Sequence, residues 1–129
     1  MSATAEAPSG RSFATEGGCS VDELADVTIT GPSSDWLADF ARRLVSERLA
    51  ACGNIVPQVR SIYAWEGAVE DDDEAPLILH TRESLVARII ERANQEHPDE
   101  TPQVLALPIV NVNPPYRKWL LDSTLAPGD

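Results

Sequence analysis

The chain has 129 residues, a length that admits one domain core and excludes a multidomain machine. Asp and Glu number 21 against 10 Lys and Arg, a formal net charge of -11 that repels phosphate backbones and anionic lipid headgroups, so neither nucleic acid nor a membrane surface is an expected partner. Hydrophobic residues make up 43%, enough for a core, yet no run approaches the roughly 20 residues of a membrane span and the N-terminus lacks a basic start with an apolar signal core, which predicts a soluble cytoplasmic protein.

Small and polar residues dominate 1–22, so this stretch reads as a flexible N-terminal tail. A domain over 23–125 and a disordered C-terminus over 126–129 complete the expected organisation. The two cysteines, Cys19 and Cys52, form no C-x-x-C pair and read as free thiols in a reducing compartment, Cys52 as a small buried hydrophobe.

Within the domain the hydrophobic period switches repeatedly. Val27 to Thr30 is a β-rich run closed by Gly31-Pro32. Ser33 or Ser34 then caps a helix whose apolar stripe is Leu37, Phe40, Ala41, Leu44, Val45 and Leu49, with Arg42, Arg43 and Glu47 on the wet side. From Asn54 to Glu66 the period becomes two, with Val59, Ser61, Tyr63 and Trp65 facing one way. Gly67 and the acidic run Glu70 to Glu74 read as a solvated hairpin connection, and Leu77 to His80 returns as a strand. The acidic run lacks the spacing and mid-loop glycine of an EF-hand.

A second helix carries Val86, Ile89, Ile90 and Ala93 and stops at His97-Pro98, because the residue before proline is pushed out of the helical region. Val104 to Val110 is the last strand, which Pro108 confines to an edge or a bulge, and Tyr116, Trp119 and Leu120 suit a short closing helix. The order βαββαβ plus a helix predicts an α+β, ferredoxin-like sandwich with both main helices on one face of an antiparallel sheet.

Several blocks carry a family resemblance: ERLAACGNIVP from Glu47, SIYAWEG from Ser61, HPDETP from His97, LPI from Leu107 and NPPYRKWL from Asn113. In this order and spacing they resemble the CutA divalent-cation-tolerance family over about Asp26 to Ser123. The resemblance implies a ferredoxin-like subunit that assembles into a stable homotrimer, with long hairpin strands of one subunit continuing the sheet of the next. Tyr63, Trp65 and Trp119 are then the large anchors at subunit contacts, or ordinary core side chains.

It also implies divalent-cation tolerance and copper binding. The family's cysteine ligand falls on Ile29, which cannot ligate, and a pair of successive histidines becomes Glu96-His97. His97 with Glu96, and with Asp99 or Glu100, is the remaining donor set for a weak copper(II) or other divalent-cation site, although His97 better suits the end of the second helix. His80 stands where many relatives carry lysine, which suits a strand-end polar residue, a pH-sensitive group or a second metal contact.

The resemblance further implies an inter-subunit cleft built from Tyr63, Trp65, Glu66, Arg82, His97 and Glu100, an aromatic wall with convergent charges of the kind that holds a small ligand. No phosphate loop, nucleophile elbow or H-E-x-x-H motif occurs, so no enzyme is expected. Two functions follow: a trimeric divalent-cation tolerance protein, and a trimeric small-molecule sensor or interaction scaffold like the PII-like signalling proteins, the latter by fold analogy.

Overall fold

The computed structural model describes residues 22–129. The expected tail over 1–22 and Cys19 lie outside the described residues, apart from Asp22 itself. Strand β1 (Leu24–Gly31) enters the centre of the sheet, and helix α1 (Ser34–Ser46) follows after Gly31-Pro32. Ser33 is the cap, its hydroxyl oxygen accepting the Trp36 N–H at 3.2 Å. Strands β2 (Cys52–Ile55), β3 (Val59–Trp65) and β4 (Ala68–Arg82) come next, then a 3-10 turn, α2 (Val86–Glu96), β5 (Val104–Ile109) and α3 (Pro114–Ser123).

The sheet order is β2-β4-β1-β5, all antiparallel, with β3 paired to the outer half of β4. This is the ferredoxin-like arrangement with a long hairpin extending from it. Pro108 sits in β5, which pairs only with β1, so its missing donor faces an edge. Helix α2 ends at His97, whose ψ of 138° is the extended conformation that a following proline imposes.

Two sequence expectations change. The period-two stretch from Asn54 is broken at Val56–Gln58 into two strands, because Pro57 interrupts the ladder. The acidic run is no loop: Glu70 to Glu74 lie inside β4, paired residue by residue with β3. The connection is the two-residue turn Glu66-Gly67, with φ of 49° and 83°, the positive pair that matches the twist of a tight hairpin. Alternation splits the five carboxylates between two faces, and β3 supplies partners: Arg60 donates to Asp71 at 2.9 and 2.7 Å, and the Tyr63 hydroxyl donates to Asp72 at 2.5 Å.

The core lies between the sheet and α1 and α2. Val27, Ile29, Leu77 and Leu79 meet Leu37, Phe40, Leu44 and Ile89, all fully buried. A smaller cluster on the other face joins Leu24, Ala51 and Leu120, so α3 covers one end of that face. The rest of it stays open, with Leu105 and Leu107 of β5 exposed. Charged groups link the two main helices: Arg43 pairs with Glu96 and Asp39, and Arg92 pairs with Glu96 and Glu47. Arg43, expected on the wet side of α1, thus reaches across to α2. Residues 126–129 close a turn in which the Ala126 N–H donates to the Asp129 carboxylate at 3.2 Å.

Candidate functional site

A cleft of about 500 Å³ opens where the base of the hairpin faces the end of β1 and the α2–β5 connection. β3 contributes Tyr63 and Trp65, β4 contributes Glu74, β1 contributes Thr30, and the connection contributes Asp99, Thr101 and Gln103. Alternation along β3 places Tyr63 and Trp65 on one face, so two aromatic rings and a carboxylate share a wall. Tyr63 donates its hydroxyl proton to Asp72, and that bond, with burial and neighbouring carboxylates adding to it, pushes the phenol up to about 12. Among the described residues, none that lines the cleft is Lys, Arg or His.

His97 stands beside this cleft but is enclosed. Its side chain has no exposed surface, its Nε2 donates to the Thr30 carbonyl at 2.6 Å and its Nδ1 accepts the Asp99 N–H at 3.0 Å. Those partners place a ring proton on Nε2 and leave Nδ1 as the acceptor. Trp36 closes the third side, with ring centroids 5.0 Å apart. Glu96 points away into the helix pair, and its bonds to Arg43, opposed by burial and reinforced by Arg92, hold its carboxyl below the usual range.

The other expected site residues scatter. Glu100 is exposed on the connection after α2, and Glu66 sits in the hairpin turn. Arg82 lies at the far end of β4, where it donates to the Thr124 hydroxyl at 2.8 Å and the Leu121 carbonyl at 2.6 Å and pairs with Asp22. It anchors α3 and is not brought to the cleft. Ile29, at the family's cysteine position, is in the core. Among the described residues no group of three or more His, Cys, Asp and Glu is arranged to hold a metal ion.

Sequence reasoning singled out His80 and Cys52 separately and missed their pairing. Strand register aligns Cys52 with His80 and His80 with Asp26, on the sheet face away from α1 and α2. Nδ1 of His80 contacts Asp26 at 2.5 Å, Nε2 contacts the Asn54 amide at 3.1 Å, and the ring meets the edge of Tyr116. Cys52 is free and half-buried there. Only the pairing of β2 with β4 reveals this row, and period two within each strand was its sole sequence signal.

Comparison with known proteins agrees with this architecture. The family model described as CutA1 divalent ion tolerance protein matches residues 26–123. A protein named CutA homolog from Xenopus laevis is 43% identical over 99 residues, which are 77% of this chain and 66% of that protein. The divalent-cation tolerance protein CutA of Thermus thermophilus is 43% identical over 98 residues, 76% of this chain and 95% of that one. The chain spans between about half and two thirds of the length of several curated relatives it matches. The crystal structure of CutA1 from Oryza sativa superposes with a TM-score of 0.78 at 40% identity, covering 83% of this chain and 98% of that one. With 98 consecutive residues matched, from the third residue of β1 to the end of α3, the chain belongs to the CutA1 divalent ion tolerance family.

Proposed function

We propose that this chain acts in divalent-cation tolerance as a cytoplasmic homotrimer that binds or responds to a divalent metal ion, copper(II) foremost. The observation that carries the assembly is the unsatisfied apolar surface. Ile62 and Val69 on the hairpin and Leu105 and Leu107 on the open sheet face are 61%, 77%, 56% and 60% exposed. Surface of this kind is characteristic of a subunit contact, and Trp119, half exposed against Tyr116, extends it. The role is one of binding, not catalysis.

The metal arm of the proposal uses His97 with Asp99 and Glu100, since both Glu96 carboxylate oxygens are taken by Arg43 and Arg92. Copper(II) accepts imidazole nitrogen and carboxylate oxygen; the Asp99 carboxylate is 3.9 Å from Nδ1 of His97, and Glu100 is exposed on the same connection. Coordination at Nδ1 displaces the Asp99 amide, so affinity is weak. A second reading, a small-molecule sensor or scaffold, is favoured by one observation: both His97 nitrogens are already partnered, while the adjoining cleft is open and aromatic. In that reading Tyr63 and Trp65 hold the ligand, Glu66 and Glu100 follow lining residues in the chain, and Arg82 stays bonded to α3, away from the cleft.

Native mass spectrometry of the full chain with and without copper(II) and zinc tests both parts. A trimer that takes up one ion per subunit, and loses it in Asp99→Ala and Glu100→Ala, supports the metal arm. A monomer refutes the assembly, and a bare trimer refutes the metal arm in favour of the cleft.

A further inference from the structure

The cleft beneath the hairpin has a chemical character that selects its occupant. Its volume, about 500 Å³, suits a small organic molecule. Two of its walls are the Tyr63 and Trp65 rings, both partly exposed, and its ionisable lining groups other than Tyr63 are the carboxylates of Glu74 and Asp99. Among the described residues no cationic side chain lines it, and the guanidinium carried by the same strand, Arg60, is held by two bonds to Asp71. Asp72 lies just behind Tyr63, bonded to its hydroxyl, so the negative charge extends past the aromatic wall. A phosphate or carboxylate ligand would meet only like charge in this cleft.

An alkylated ammonium group meets the opposite: π-faces that attract a cation and two carboxylates to neutralise it. We propose that this cleft binds a small organic cation of the amine or quaternary ammonium class, seated on Trp65 and Tyr63 and countered by Glu74 and Asp99. The proposal rests on the reading of the cleft as a ligand site and gives that ligand its charge. Thr101 and Gln103 supply the hydrogen-bonding groups for a polar substituent at the cleft mouth.

Calorimetric titration of the full chain, with EDTA present so that no divalent ion occupies the carboxylates, tests it with three probes. They are choline, its uncharged isostere in which carbon replaces the ammonium nitrogen, and adenosine triphosphate as an anion. The expected result is saturable choline binding with no binding of the other two. Trp65→Leu and Glu74→Gln should each weaken choline binding roughly fivefold while the oligomer mass stays unchanged. Asp99→Asn, at an exposed position, repeats the charge test if Glu74→Gln alters the assembly. Equal binding of the isostere, or binding of the triphosphate that Trp65→Leu abolishes, overturns the cationic class but keeps the cleft as a ligand site. Binding of no probe overturns the cationic class and the cleft reading together.

Discussion

The two faces of one sheet are built from the same strands and reach opposite outcomes. On the face beneath α1 and α2, Val27, Ile29, Leu77 and Leu79 are sealed by helices from the same chain. On the other face, Leu105 and Leu107 stand in water, and the hairpin adds Ile62 and Val69. Alternation in a strand delivers side chains to both faces equally, so only the connections decide which face is covered within the chain. The covered face is where the subunit gains its stability. The open face and the hairpin carry the apolar surface that the described residues leave uncovered, and both the cleft and the Cys52-His80-Asp26 row lie on that side or at its rim.

Truncation on the covered face should have the largest effect on subunit stability. Ile29→Ala leaves a cavity against a fully buried neighbourhood and should cost about 2–5 kcal/mol in denaturant unfolding. A cost near zero would break the contrast between the faces. Leu107→Asp, on the open face, should leave the subunit folded and reduce the assembled mass measured by light scattering to that of a monomer. An unchanged mass would mean that this surface is not the contact.

A smaller effect is expected from the charged link between the main helices. The Glu96 carboxyl lies below its ordinary value when folded, so its contribution is present above the unfolded value and is lost as pH falls through the folded one. Glu96→Gln should therefore cost about 1 kcal/mol at neutral pH and shrink the acid-side loss of stability below the ordinary carboxylate range. Acid unfolding curves that superimpose for the two proteins would refute this link. The smallest change is a spectroscopic one: Asp72→Asn should bring one tyrosine ionisation down from about 12 in an alkaline absorbance titration, with the fold intact. A titration that does not move would place the Asp72 bond elsewhere.

Much of the fold was legible because helical and strand periods are local. The α1 stripe, the Ser33 cap, the halt at His97-Pro98 and the edge placement of Pro108 each depend on residues within a turn or two of chain. The acidic run was misread because five carboxylates look like a solvated loop until Arg60 and Tyr63 across the ladder are known to answer them. Tyr63 and Trp65, expected from the family resemblance in a cleft between subunits, line a cleft within this subunit, and Glu74, Thr30 and Gln103 join them only when the hairpin folds back over the end of β1.

The sequence by itself determined the alternation of strands and helices apart from the break at Pro57, the faces of the helices, the fold class and, through five spaced blocks, the family. Tertiary structure alone decided that His97 is enclosed with both nitrogens bonded, that Arg82 anchors α3, and that Cys52, His80 and Asp26 form one row. The physical reason is range. Periodicity and capping act between residues a few positions apart, while enclosure and hydrogen-bond partnership depend on segments as far apart as the 67 positions that separate Thr30 from His97.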